Sequence, residues 1–500
     1  MFKKLIKARL KGYKQQFNRI DNHLPLQLDA EKKVAVIGGG LAGMAAAAYL
    51  APRGFTVSIY EKDNFIGGKI GSWPVTFADG YQTNVEHGFH GFFRQYYNLL
   101  RLLDTVDAAR HLIPISDYLI KTRILGDFSF GSIETTPVLN LISMARQKIY
   151  SLTDMMSLDK ARQMLPLLQY EQEKTFKKFD QLSFKYFCDA AELPRELQLV
   201  FTTFSRAFFA EPQYMSMAEL IKSFHFYFLS NDLGILYDVL NDDFEKTLWQ
   251  PFRQFLKPHQ VEIHLSKAVT GIGYRDGRFI IHDNAFDYLI LASDVKNTPV
   301  IVENSEDLKK VFPEAARKIQ QVKASQKYAV LRIWIDKNIA GDLPFFIFTD
   351  ALKILDSVTI YHQMEKTSAD WVKANGGGIF ELHSYAIPDE MSAADEVRQQ
   401  LLYEFESYFP ELKGYQIRYE YFQFRDDFSA FHTNLYRTRP GFITGIPGFY
   451  LAGDWVKLPV PAMLMEAAVT SALFSANEIF KKENLREEPV MTVPLKGVFA

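Results

Sequence analysis

The stretch from Val34 to Glu61, VAVIGGGLAGMAAAAYLAPRGFTVSIYE, reads as strand, glycine turn, helix and second strand, closed by an acidic residue. Gly38, Gly40 and Gly43 carry the G-x-G-x-x-G spacing, and Glu61 follows Gly43 by 18 residues at the end of the second apolar run. With its flanking strands this is a complete dinucleotide-binding fingerprint. Gly38 permits the tight turn, Gly40 lets a pyrophosphate approach the backbone, and Gly43 lets the helix lie close on the strand. The phosphates would sit at the helix start, around Leu41 and Ala42, among unpaired N–H groups. Glu61, an acceptor, would take the hydrogens of a ribose hydroxyl pair. Taken alone, this unit accommodates NAD, FAD or another nucleotide.

A chain of 500 residues normally divides into two or more domains. Its net charge of −2 and pI near 6.6 argue against a general nucleic-acid binder, which needs a basic field. Cys188 is the only cysteine, so no intrachain disulfide, thiolate zinc cluster or dithiol redox centre is possible, and a reducing, cytoplasmic setting fits. The 42 Phe and 25 Tyr are enough to line a long apolar cavity as well as fill a core. The longest uncharged run, Val34 to Pro52, belongs to the strand–turn–helix unit rather than to a membrane span, because its glycines sit near the start.

Before the first acid, Asp21, residues 1–22 carry seven basic side chains from Lys3 to Arg19, interleaved with Phe2, Leu5, Ile6, Leu10, Tyr13, Phe17 and Ile20 at helical spacing. Such a helix suits either a membrane interface or a docked surface position. After Glu61 and Lys62, a second glycine pair, Gly67-Gly68, precedes Lys69; large flavoproteins use such a pair where the chain passes again beside the phosphates. Glu86-His87-Gly88-Phe89-His90-Gly91 then forms a glycine-loosened loop. His87 and His90 lack a third local ligand, so a metal is not expected. Residues 96–244 read as mostly helical, with the Met215–Leu229 run serving as core packing or as a greasy cap over a substrate tunnel. Val269 is assigned to a short strand. Tyr328–Asp336, Ile379–Ala386 and Tyr415–Phe424 suggest an antiparallel, half-buried second sheet, covered by a helix over 393–408.

A second sharp signal lies at Phe449-Tyr450-Leu451-Ala452-Gly453-Asp454, followed by Pro459-Val460-Pro461 and a helix over 462–481 with Pro461 near its start. Gly-Asp and a helix N-terminus again describe a site for a polar or anionic ligand portion. Residues 482–500 read as a loose tail. These motifs are similar to those of glutathione-reductase-like flavoproteins, and that resemblance implies an α/β fold: a Rossmann-like domain built discontinuously from 32–95, 245–300 and 435–481, a helical cap over 96–244, a mixed α+β substrate domain over 301–434, and a basic extension over 1–31.

Taken together, GGGLAG, Glu61, Gly67-Gly68-Lys69 and LAGD at Leu451–Asp454 resemble the flavin-containing amine oxidase and carotenoid desaturase superfamily. EHGFHGFFRQYYNLL at Glu86–Leu100 and AGDWVKLPVPAMLMEAAVTSALFSAN at Ala452–Asn477 look like carotenoid-ring desaturases of the isorenieratene synthase type. The resemblance implies non-covalent FAD, with Val269 contacting the adenine through its backbone and Met463 among the cofactor contacts. It also implies a lipid-soluble polyene substrate, a peripheral membrane surface, and desaturation of a β-ionone ring with a methyl shift. Glu86, His87, His90 and Glu466 are the titratable candidates for catalysis; for the two histidines, loop hydrogen bonding around the flavin is the alternative. The electron acceptor, a quinone or another oxidant, stays open. Two other readings of the same architecture are an oxidase of small amines and a non-catalytic escort of prenylated proteins.

Overall fold

The computed structural model describes residues 13–123, 126–147, 165–193, 195–339, 341–497 and 500. Short, β-branched apolar runs build a five-stranded, all-parallel sheet. Its order is Glu262–His264, Thr56–Tyr60, Lys33–Ile37, Tyr288–Leu291, Phe449–Leu451. Strands buried on both faces read as continuous hydrophobic runs, which is what Tyr288–Leu291 and Phe449–Leu451 are. The sheet gathers strands from three distant stretches of the chain. Helices Leu41–Leu50 and Leu464–Lys482 pack on it side by side. The first is rich in alanine and buried almost all round, so its backbone comes close to the strands below.

Gly43 shows why glycine is needed there. A Cβ at this position would lie 2.0 Å from the Gly38 carbonyl oxygen and 3.1 Å from the Val36 side chain. Gly38 has φ +109 and sits against the Ala292 backbone, where a Cβ would meet the carbonyl oxygen at 2.6 Å.

A seven-stranded sheet forms the second layer system, in the order Ile417–Arg425, Tyr328–Ile335, Gly378–Ser384, Ser357–Ile360, Phe346–Thr349, Leu119–Lys121, Phe128–Ser129. The three expected strands pair antiparallel and Ile417–Arg425 is half-buried, but the half-burial expected of the other two needs correction. Tyr328–Ile335 and Gly378–Ser384 are buried along their whole length, because helix Ala394–Tyr408 covers one face and the cavity side of the molecule covers the other. The pairing of Phe346–Thr349 with Leu119–Lys121 is parallel.

The region 96–244 is likewise less uniformly helical than expected. It supplies two strands to that sheet, and Leu112–Pro114 and Tyr237–Leu240 pair in a separate small sheet with Phe92–Phe93. The basic helix expected over 1–22 lies outside the described residues up to position 12. From 13 onward it is not a helix: Gln15–Gln16 pairs with Met491–Thr492, and Asn18 bonds Glu487, the Glu488 carbonyl and the Val490 N–H. The same pairing corrects the loose tail. Leu485, Val490 and Val493 are buried, and the Met491 backbone is gripped by Asn98. The last long helix starts at Leu464, leaving Pro461 ahead of its Met463 N-cap, and Val269 lies in a loop rather than a strand.

Candidate functional site

One large cavity, about 490 Å³, runs from the end of the parallel sheet into the aromatic middle of the molecule. That volume lies in the range of small-molecule and cofactor sites. Gly38, Gly40, Leu41, Ala42, Glu61, Lys62, Gly67, Gly68, Lys69, Val269, Gly453 and Asp454 all line it, as do His87 and His90. Gly43 and Met463 do not. Gly43 acts below the wall, as the contact between helix and strand; Met463 is buried, with its sulfur against the Ser223 hydroxyl.

The nucleotide end is fitted to an anion. Helix Leu41–Leu50 has no side-chain cap and no acid in its first turn, so its N–H groups stay open to the cavity. Gly40 bridges to Gly67, which brings the second glycine pair against the first. Glu61 lies beneath this turn, accepting from Gly39 N–H at 2.7 Å and Asp63 N–H at 2.9 Å. Burial raises its carboxyl above the ordinary value, and the two backbone donors oppose that rise. Among the described residues neither the N–H nor the C=O of the buried Val269 has a hydrogen-bond partner, so its backbone edge is available to a base. These features fit the adenosine diphosphate half of FAD: glycines and open N–H groups for phosphates, Glu61 for ribose hydroxyls, Val269 for adenine.

In the middle of the cavity Lys69 Nζ pairs with Asp454 Oδ2 at 2.7 Å and sits 4.8 Å from the Phe428 ring centre. Beyond them the walls turn aromatic, with Phe89 stacked on Phe346 at 4.2 Å and Phe209 on Phe428 at 3.5 Å. Tyr227 and Phe228, from the end of the Met215–Leu229 run, line this part, so that run serves as packing and as wall. Two cavity residues, Phe209 and Leu464, hold φ values of 59 and 48, a left-handed backbone that costs a large side chain about 1–3 kcal/mol.

The four titratable candidates separate. His87 and His90 face the cavity. Burial drives both imidazoles down, His87 well below 6.5 and His90 to about 4, so both rings are neutral at physiological pH. His87 Nε2 lies 2.6 Å from the Tyr328 hydroxyl, and His90 Nδ1 lies 2.7 Å from the Gly88 carbonyl. Glu86 and Glu466 lie off the wall. Glu86 joins a buried charge network: Arg332 Nη2 is 2.6 Å from Glu86 Oε2 and from Glu381 Oε2, Tyr361 donates to Glu86, and His383 contacts Glu381 at 2.9 Å. Burial also pushes the nearby Glu365 well above the usual carboxylate range, with the Glu86 charge adding to it.

Glu466 caps a helix from a distance. Its oxygens accept from Asn98 N–H at 3.0 Å and Leu99 N–H at 2.9 Å, at the start of helix Tyr97–Thr105, which has no local cap. Burial raises its carboxyl to about 7, against the pull of these donors. Between about 4.5 and 7 the folded state therefore keeps a proton that the unfolded state has released, so this group's contribution to stability falls as pH rises through that window, by about 1–3 kcal/mol in total. Urea midpoints at pH 5 and pH 7.5 check this: Glu466→Gln should remove that part of the slope while lowering stability at both pH values.

Arg425, Asp427, Phe428 and Tyr328 escaped the sequence reading. Their signal was an R-D-D-F run directly after a recognised strand, and register alone brings Tyr328 opposite Arg425.

The flavin containing amine oxidoreductase model matches residues 41–480, and the chain belongs to that family; it is an FAD-dependent oxidoreductase. Among curated proteins, a carotenoid phi-ring synthase of Streptomyces griseus is 33% identical over 474 residues, covering 93% of this chain and 90% of its own. A carotenoid phi-ring synthase of Chlorobaculum tepidum is 26% identical over an alignment covering 96% of this chain and 93% of its own. Among solved structures, cyclohexylamine oxidase from Brevibacterium oxydans superposes with a TM-score of 0.60 at 11% identity, covering 90% of this chain and all of the other. That last likeness concerns the fold.

Proposed function

We propose that this protein is a carotenoid-ring desaturase of the isorenieratene synthase type, acting on a β-ionone ring and aromatising it with a methyl shift. The observation that carries the reading is the cavity: a nucleotide cradle at one end opens directly into an aromatic chamber. Full-length similarity to two phi-ring synthases supports the substrate class. FAD, when bound, would supply hydride acceptance. The protein's own residues do the rest. Glycines and helix N–H groups seat the phosphates, Lys69 is held at the junction by Asp454, and aromatic walls exclude water around a hydrocarbon that has no polar handle. Aromatic faces also favour the cationic character that a migrating methyl group leaves behind.

The small-amine reading lacks a comparable support. Two acids of the cavity wall, Asp427 and Asp454, are engaged by Tyr328 and Lys69 rather than left free for an ammonium group. Retention of Glu61, the second glycine pair and Gly453-Asp454 weighs against a non-catalytic escort. Expression in a host that accumulates β-carotene, beside one that accumulates lycopene, tests the reading. The expected outcome is a pigment change in the β-carotene host alone; unchanged β-carotene there would count against it.

The reading includes delivery of the substrate from a membrane surface. No helix among the described residues is long and apolar enough to cross a membrane, and the first 12 residues, basic and interleaved with Phe2, Leu5, Ile6 and Leu10, are the segment suited to an anionic interface. Because Asn18 and its neighbours dock on the last strand, deletion of residues 1–12 is the informative truncation. It should lower sedimentation with anionic liposomes and leave flavin content unchanged.

A further inference from the structure

His87, Tyr328 and Asp427 form a chain that ends at the cavity. The Tyr328 hydroxyl donates to Asp427 Oδ1 at 2.8 Å and lies 2.6 Å from His87 Nε2. A hydroxyl has one hydrogen, and an ionised carboxylate only accepts. With that hydrogen committed to Asp427, the short contact to the imidazole is a hydrogen bond only if Nε2 carries a proton and donates to the tyrosine oxygen. In a neutral ring Nδ1 is then the unprotonated nitrogen. Among the described residues Nδ1 has no hydrogen-bond partner, and His87 lines the cavity. The chain is held in place: Phe209 and Phe428 stand edge-on to Tyr328 at 5.5 and 4.7 Å, and the His87 backbone N–H donates to the Gly71 carbonyl.

We infer that Tyr328 and Asp427 are positioning residues that hold His87 as the Nε2–H tautomer, leaving Nδ1 to take a proton from a substrate C–H bond. The identity of that bond rests on the carotenoid reading; the tautomer does not. Each new double bond costs the substrate a hydride from one carbon and a proton from its neighbour. FAD, when bound, would supply the hydride acceptor. The electron pair of the second C–H bond becomes the new C=C, and its proton bonds to Nδ1. The imidazolium so formed keeps its Nε2–H on Tyr328, whose hydroxyl leads to the Asp427 carboxylate. Burial, Arg425 and Lys69 oppose a charge on the ring, although Lys69 is paired with Asp454; Asp426 beside Tyr328 and Glu381 on His383 are the other acids of the surroundings. Asp427 is the carboxylate joined to the ring by hydrogen bonds, through Tyr328, an arrangement like that of the acid behind a catalytic histidine.

The test uses full-length, FAD-loaded protein labelled with 15N-histidine, with the His87 signals assigned by their loss in His87→Gln. Wild type should show a protonated Nε2 and an unprotonated Nδ1. Tyr328→Phe, which preserves the aromatic packing, should shift the proton toward Nδ1. Asp427→Asn should weaken the preference, since a carboxamide can donate to the tyrosine oxygen and free its hydrogen for Nε2. Flavin absorbance confirms that each variant is folded. A wild-type ring protonated at Nδ1, or a tautomer unaltered in Tyr328→Phe, would overturn the inference. The second readout is anaerobic bleaching of the flavin by β-carotene in liposomes. His87→Gln and Tyr328→Phe should each slow it about 10²-fold. Carotenoid turnover undiminished in His87→Gln would also overturn the inference, whereas the predicted tautomers without any carotenoid turnover would leave it standing and remove the substrate reading.

Discussion

Arg332→Met is expected to destabilise the protein by about 3–5 kcal/mol, the cost of leaving buried charge without its partner. Arg332 is buried halfway along Tyr328–Ile335, the strand next to the edge strand Ile417–Arg425 of the seven-stranded sheet. Its guanidinium bonds Glu381 through Nε at 2.8 Å and Nη2 at 2.6 Å, reaches Glu86 at 2.6 Å, and lies 3.7 Å from the Tyr361 ring centre. Burial raises the Glu86 carboxyl and this cation opposes the rise, while the same cation helps hold Glu381 at about 2. Methionine fills much of the volume and restores none of the charge. Glu86 directly precedes the loop bearing His87 and His90, so the loss should reach the cavity as lower FAD retention. Urea unfolding followed by tryptophan fluorescence, with flavin absorbance of the purified variant, measures both. The double variant Arg332→Met with Glu86→Gln should recover part of the loss, because one of the abandoned carboxylates is then neutral.

Gly43→Val and Gly40→Val should fail in different ways. At Gly43 a Cβ would lie 2.0 Å from a backbone carbonyl, which yields only if the whole helix Leu41–Leu50 lifts from the sheet. Overpacking of this kind costs about 3 kcal/mol. At Gly40 the nearest atom to a Cβ is the Gly67 carbonyl at 3.8 Å, an ordinary contact, and the added side chain projects where the cavity lies. Gly40→Val should therefore keep the stability of the cofactor-free protein and lose FAD affinity by at least about tenfold, if the phosphates approach the backbone at Gly40 as proposed. Urea denaturation of the flavin-free forms, beside titration with FAD, separates the two outcomes.

The contrast between those glycines shows which parts of the molecule were legible in the sequence. The nucleotide half was, because its signals are local: turn glycines, a helix start and an acid at the end of a strand lie within a short stretch. Strands and the helix over 393–408 were legible for the same reason, through periodicity. What was not legible depends on long-range register and packing. Glu466 sits within a motif-like helix, yet its carboxylate caps a different helix at Asn98 and Leu99. Residues after 482 look polar and loose in sequence, but they are held by Asn98 and by Gln15–Gln16. Tyr328 and Asp427 reach His87 only because two strands pair antiparallel, a relation invisible in any local window.

The most direct measurement gives purified, FAD-loaded protein β-carotene in liposomes without oxygen and follows flavin absorbance and product mass together. Desaturation of a β-ionone ring at the FAD site requires bleaching of the oxidised flavin, and a product that has lost four hydrogens per ring aromatised, the loss set by two added double bonds, with every carbon retained through the methyl shift. A flavin that stays oxidised with β-carotene but bleaches with a small primary amine would contradict that assignment and return the protein to the amine-oxidising branch of its family.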